Sequence, residues 1–271
     1  MQIDIRSNTW EEFPNLKTVN ARAQNRFYGD SDIERFRIIF DQARSLAAFE
    51  EDNIVGCTTS YALDMMVPGG TMPIGAVAQV SVQATHRRKG INTRLMRRQL
   101  SDMHDWGESV AVLQASESVI YGRYGYGMGS FEYTLEIDRP HGEFAQRHSP
   151  AGRLLFIDED QAKDIFPDVF ERATHLRNGM VKRNDTWWKF RFVAPAMWRS
   201  DPRAWFVKYE VDGRVDGYLW FTVKDEVLIV KELISATDDA YASLWQFCLD
   251  MDLVTTISAG KRAQDEALLW M

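Results

Sequence analysis

The sequence predicts a mixed α/β (α+β) chain of two similar halves, each a sheet flanked by helices. Three observations carry the prediction. Short apolar runs with strand-like alternation stand between segments of helical spacing. The order hairpin, strand, helix, strand occurs twice, on either side of a polar stretch containing Pro140, Pro150 and Gly152. The chain has 271 residues, 45% of them hydrophobic, which is enough material for about two cores.

Each element has its own signal. "MQIDIRS" is strand-like, and "SDIERFRIIFDQAR" puts Ile33, Phe36, Ile39 and Phe40 at helical spacing, with Ser31 and Glu34 in the positions of a capping box. "SLAAFEEDNIVGCTTSYALDMMV" reads as two strands joined at "EEDN", and "PGGT" marks the turn into the next strand. In "GAVAQVSVQ", Ala76, Ala78, Val80 and Val82 share one face of a strand. A helix from about Gly90 to Trp106 buries Ile91, Leu95, Met96, Leu100 and Met103, and "SVAVLQAS" is a short buried strand. These last three form a βαβ unit.

The second series comes after "DRPHGEFAQRHSPAG", which reads as a linker. "RLLFIDED" is a strand, "QAKDIFPDVFERATHLR" a helix with a break expected near Pro167, and "AWFVKYEVDGRVDGYLWFTVKD" a hairpin through "VDGR". Then "EVLIVKELISA", "DDAYASLWQFCLDMD" and "LVTTISA" give strand, helix and strand. The predicted domains are residues 1–138 and 139–271.

Charge and cysteine content exclude some classes. A net charge of −7 argues against general nucleic-acid binding and favours approach of a cationic small molecule. No apolar run approaches the roughly 20 residues of a membrane span, and the N-terminus carries charge, so a cytoplasmic protein without a membrane partner is expected. Cys57 and Cys248 have no metal-ligand spacing around them; packed thiols are expected, with neither a disulfide framework nor a metal site.

Against this acidic background, "THRRKGINTRL" concentrates positive charge between a strand and a helix. A helix N-terminus exposes unpaired N–H groups and a partial positive charge, so a turn there can wrap a pyrophosphate, with Arg87, Arg88 and Lys89 adding charge-assisted contacts. By itself such a turn is more often a solvated basic face. Neither G-x-G-x-x-G nor G-x-x-x-x-G-K-[ST] is present near it. The corresponding position of the second half, "SATDD", holds no glycine and no basic residue.

The run Arg87-x-x-Gly90-x-Asn92 resembles the acyl-CoA pyrophosphate motif R/Q-x-x-G-x-G/A of the GNAT superfamily of N-acetyltransferases, with Asn92 in place of the small residue. Together with "ASESVIYGRYGYG", Ala115 to Gly127, the segment "VSVQATHRRKG" resembles the Eis-type (enhanced intracellular survival) acetyltransferases, with Ala84 where that family has proline. "GMVKRNDTWWKF" and "LWQFCLDMDLVTTISA" are similar to segments of the family's second domain. The resemblance implies tandem GNAT folds, each a mixed, mostly antiparallel sheet flanked by helices, the first catalytic and the second degenerate. Eis-type proteins continue into a third, sterol-carrier-like domain, whereas this sequence stops at "DEALLWM".

The resemblance also implies site residues. Acetyl-CoA would lie with its pantetheine arm along Val80, Ser81 and Val82 and its pyrophosphate in the turn formed by Arg87, Arg88, Lys89, Gly90, Ile91, Asn92 and Thr93. Ser116 and Glu117 would stand where the next strand splays away. Tyr121, the tyrosine of I-Y-G-R, would give a proton to the departing thiolate; Tyr124 and Tyr126 read as packing residues. Asp30, Asp32 and Glu34 are candidates for attracting an amine acceptor, with helix capping and a solvated face as their alternatives. No residue inherits the role of general base. The implied reaction moves an acetyl group to a primary amine of a cationic small molecule or lysine side chain, with a homo-oligomer left open. A CoA-binding or assembly module without turnover is the alternative, and a nucleic-acid patch at the basic turn a more distant one.

Overall fold

The computed structural model describes residues 2–193 and 204–271. It divides into two compact units, Met1–Gly127 with Gly179–Trp198, and Met128–Asn178 with Arg199–Met271.

The first unit is built on a five-stranded sheet in the order β1-β2-β3-β4-β5, formed by β1 (Asp4–Ser7), β2 (Ser45–Glu50), β3 (Asn53–Val67), β4 (Gly70–Val82) and β5 (Val110–Val112). All neighbours are antiparallel except β4 and β5, which are parallel because the helix α3 (Ile91–Asp105) carries the chain between them. Gly75 lets this helix come close: a Cβ there would lie 2.5 Å from the Met103 sulfur and 2.8 Å from Glu108 Oε2. Two further helices, α1 (Phe13–Ala23) and α2 (Asp30–Arg37), precede β2, and a single turn, α4 (Ser118–Tyr121), comes after β5.

Helix α1 has no counterpart in the sequence reading. Its core-facing positions include Lys17 and Asn20, both buried, so the apolar stripe that marks a helix is interrupted by polar residues. Helix α2 starts one residue before the expected cap. Gly29 is its N-cap, and the Gly29 amide donates to Asp32 Oδ2 at 3.1 Å, while Ser31 already lies within the helix.

In the second unit, β6 (Tyr133–Asp138) and β7 (Arg153–Ile157) flank the expected linker. Helix α5 (Glu159–Thr174) runs through Pro167 without the expected break. Phe166, Val169 and Phe170, on either side of the proline, are all buried, and this packing holds the helix together across the missing N–H. The chain next forms α6 (Asp185–Phe192), which belongs to the first unit, where Met66 and the chain at Gly179 and Met180 exchange backbone hydrogen bonds of 2.8 Å. Strands β8 (Trp205–Val211), β9 (Arg214–Lys224), β10 (Val227–Ser235) and β11 (Thr256–Arg262) complete a sheet in the order β6-β11-β10-β9-β8-β7. Its one parallel pair, β10 and β11, is again bridged by a helix, α7 (Asp238–Leu249). The predicted repetition of strand, helix and strand is therefore present in both units. Among the described residues, no helix is long and apolar enough to cross a membrane.

A buried ion pair ties the start of β5 to the first sheet. Arg44, just before β2, meets Glu108 through two contacts of 2.6 and 3.2 Å, with the carboxylate side chain 4% exposed. Removing one partner leaves a buried charge unpaired, so Glu108→Ala is expected to destabilise the protein by ~3–5 kcal/mol, and Arg44→Met in the same background to recover part of that loss in a denaturant titration.

Candidate active site

The site is organised by an irregularity in β4. Opposite β3, residues 57 and 59 face Ser81 and Ala78, so β4 carries one residue too many and bulges at Gln79, whose φ is +57°. The bulge splits the single face expected for Ala76, Ala78, Val80 and Val82. Before it, Val77 packs with Met96 and Met103 of α3; after it, Val80 and Val82 are the residues on the α3 side, while Gln79 and Ser81 reach α1.

The same bend separates β4 from β5. The two strands pair only from Ile74 opposite Val110 to Ala76 opposite Val112. Beyond that point β5 ends, and the β5-side edge of β4 continues unpaired to Val82. An open strand edge of this kind presents alternating N–H and C=O groups to any extended ligand with amides of its own.

At the far end of β4 lies the basic turn. Arg88 (φ +62°) and Gly90 (φ +77°) both adopt the left-handed conformation, and Gly90 is the N-cap of α3 without a side-chain cap. A Cβ on Gly90 would meet nothing within 4 Å, so glycine is favoured there by the backbone conformation and not by crowding. The first amides of α3 have no intrahelical acceptor. Arg87, Arg88 and Lys89 are exposed; Arg87 also holds the Ala23 carbonyl at the end of α1, at 3.2 Å. His86 pairs with Glu50 at 3.0 Å.

Asn92 and Thr93 join this turn to the tyrosine-rich segment. The Asn92 amide donates to the Tyr124 hydroxyl at 3.3 Å, and Thr93 Oγ1 lies 3.2 Å from the same oxygen. Tyr124 thus anchors the start of α3, a role beyond the packing expected of it. Ile91 is buried beneath the turn.

Tyr121 is 8% exposed and packs with Val77, Met96 and Met103. Burial raises its pKa, followed by Tyr124 and Glu117, while the neighbouring Ser116 hydroxyl works in the opposite direction. The phenol is therefore protonated at neutral pH. Ser116 and Glu117 are exposed beyond the end of β5, and Glu117 is the N-cap residue of α4 without a side-chain capping bond.

The acidic candidates do not converge on one point. Asp30 opens α2 and is exposed, Asp32 is buried with one oxygen on the Gly29 amide, and Glu34 is exposed and pairs with Arg37 at 2.9 Å. Beside the bulge, on the α1 face, lies Lys17. It is wholly buried, donates to Gln79 Oε1 at 3.1 Å and sits 3.4 Å from the Phe36 ring centroid. Gln79 in turn donates to the Tyr61 hydroxyl at 2.8 Å, and Asn20 donates to Ser81 at 2.8 Å. Desolvation holds the Lys17 pKa at about 7. A buried lysine carries no hydropathy signal, and only its break in the stripe of α1 marks it. A shallow hollow lined by Ala62, Asp64, Pro73 and Glu108 lies toward the opposite end of β4 and touches neither the turn nor Tyr121.

In the second unit the corresponding helix start is already satisfied. Thr237 caps α7 by accepting from the Ala240 amide at 3.2 Å, and Asp239 accepts from His148 at 2.8 Å and from the Tyr209 hydroxyl. Carboxylates occupy the position that basic residues hold in the first unit. Cys57 and Cys248 are both buried, with burial pushing each thiol up to about 12.

Residues 4–129 match the model of an acetyltransferase (GNAT) domain, and residues 179–271 match a second acetyltransferase (GNAT) domain model. An uncharacterized N-acetyltransferase of Streptomyces avermitilis is 34% identical over 251 residues, covering 87% of this chain and 60% of that protein. N-acetyltransferase Eis of Mycobacterium tuberculosis is 26% identical over 285 residues, covering 98% of this chain and 68% of Eis. The crystal structure of Eis1 from Mycobacterium abscessus superposes with a TM-score of 0.84 at 30% identity, covering all of this chain and 68% of that one. The chain spans about 60% of the length of the Streptomyces relatives it matches.

Lys17 sets a pH dependence. Below pH 7 the folded protein holds a charged amine in its core at full cost; between pH 7 and the ordinary lysine value of 10.5 only the unfolded chain binds the proton, so stability from this group rises with pH. Lys17→Met is expected to stabilise the protein on the order of 3–5 kcal/mol at pH 6, less the Gln79 hydrogen bond. Denaturant titrations should find that advantage fading as pH approaches 10.5.

Proposed function

Because the chain belongs to the Eis-type branch of the GNAT acetyltransferases, we propose that it transfers an acetyl group from acetyl-CoA to a primary amine. The observation that carries this reading is the open edge of β4, which runs from the bulge beside Tyr121 to the uncapped start of α3. The residues present fit acetyl-CoA. Arg87, Arg88, Lys89 and the amides of Ile91, Asn92 and Thr93 hold the pyrophosphate, with Gly90 shaping the turn. The backbone of Val80, Ser81 and Val82 aligns the pantetheine arm as an added strand would.

Acetyl-CoA supplies the acetyl group as a thioester, an electrophile that needs no further activation. The protein contributes positioning along β4 and a proton at the leaving sulfur. Tyr121, kept protonated by burial, gives that proton to the thiolate. The incoming amine must be neutral to attack. A cationic small molecule or a lysine side chain is the acceptor class that a net charge of −7 attracts. The second unit takes no acetyl-CoA, since Asp239 and Thr237 already fill the start of α7.

Calorimetry with acetyl-CoA is expected to find one site per chain and a loss of affinity of about tenfold or more in Gly90→Val, because a β-branched residue resists the left-handed conformation. Two sites per chain, or an unchanged affinity, would count against the turn. Tyr121→Phe is expected to keep acetyl-CoA affinity and lose a factor on the order of 10² to 10⁴ in turnover. Tyr124→Phe, which loosens the start of α3, should change affinity more than turnover at saturation. Near-normal turnover in Tyr121→Phe would leave that tyrosine a structural role only.

A further inference from the structure

Three phenols stand within six residues of one another in "YGRYGY", and they differ in how their hydroxyls are satisfied. The oxygen of Tyr124 is held by Asn92 and Thr93. The Tyr126 hydroxyl is buried and has no hydrogen-bond partner. Its ring is fixed, standing edge-on to Tyr121 with centroids 5.9 Å apart, and it packs in the same cluster as Val77, Val80 and Leu113. Three members of that cluster mark where the two strands part. Val77 and Val80 lie on β4 just past Ala76, the last residue paired with β5, and Leu113 comes directly after the last residue of β5. Tyr126 therefore stands where the two parallel strands separate.

An unsatisfied buried hydroxyl is costly, and native proteins retain one chiefly where something else completes it. We propose that the Tyr126 hydroxyl is a binding group for the pantetheine arm of acetyl-CoA, pairing with one of the arm's amide groups as it passes between β4 and β5. The proposal rests on the acetyl-CoA reading above. The phenol suits this partner because it can donate to a carbonyl or accept from an N–H, and a neutral arm asks for no charge. Burial pushes Tyr126 up to about 12, which keeps its proton in place through the pH range in which an acetyltransferase works. The Tyr124 hydroxyl is engaged by α3, so Tyr126 gives the arm a fixed polar contact beside the proton donor.

The test uses the full chain and two ligands, acetyl-CoA and 3′-phospho-ADP, the latter having the diphosphate and no pantetheine. Tyr126→Phe keeps the ring and its contact with Tyr121. In the ligand-free protein it is expected to raise the melting temperature by about 1–3 °C, because a hydroxyl without a partner is removed from the interior. In calorimetry the same variant should bind acetyl-CoA about five- to tenfold more weakly while binding 3′-phospho-ADP as the wild type does. Equal affinity for acetyl-CoA in variant and wild type would overturn the proposal. So would a parallel loss for both ligands, or a lower melting temperature, since either would give the hydroxyl a structural role. If the wild type bound neither ligand, the reading of the turn would fail and this proposal with it; binding of 3′-phospho-ADP with no effect of the variant would sink the Tyr126 role alone.

Discussion

One extra residue in β4 governs the first unit. Without the bulge at Gln79, β4 and β5 would stay paired along their length, and the edge that faces the tyrosines would be closed by backbone hydrogen bonds. The left-handed backbone at Gln79 turns the strand away, and the parity of its side chains reverses with it. Val80 and Val82 then pack toward α3, while Gln79 and Ser81 are handed to α1. The bulge is secured from that side by a polar network in which Lys17 and Tyr61 hold the two ends of the Gln79 amide and Asn20 holds Ser81. A half-charged lysine in the interior costs stability, and it is retained at the point where the sheet must not close.

Comparison of the two units shows two different ways of starting the helix that bridges a parallel pair. Both sheets contain one parallel pair bridged by a helix. In α3 the N-cap is a glycine without a side chain, and a Cβ there would meet only open space. In α7 the threonine side chain caps the Ala240 amide and Asp239 is taken up by His148 and the Tyr209 hydroxyl, so the second unit gains a well-anchored helix.

Much of this is legible from residues alone. The strand, turn and helix around Gly90 stand out because alternation, a glycine and a helical stripe succeed one another without interruption, and the hairpin at Asp212 and Gly213 does so through its turn residues. Helix α1 is hidden because Lys17 and Asn20 occupy core positions. The bulge is hidden because nothing in "VAQVSV" distinguishes an alternating strand from one with an inserted residue; only the register against β3 does. Tyr124 reads as packing because a hydroxyl's partner thirty residues away in sequence leaves no local trace. Pro167 misleads in the other direction, a local breaker overruled by the buried residues around it.

The chain leaves the first unit after Gly127, builds strands and a helix of the second, and returns at Gly179. Neither unit is a continuous stretch of sequence. The first cannot be completed during synthesis until α6 has emerged, so its early sheet must wait, with the open edge of β3 at Met66 uncovered, while Met128–Asn178 is made. Closing that excursion costs about 3–4 kcal/mol of chain entropy, recovered only when the returning segment docks. A gene cut once between the halves would therefore yield two incomplete pieces.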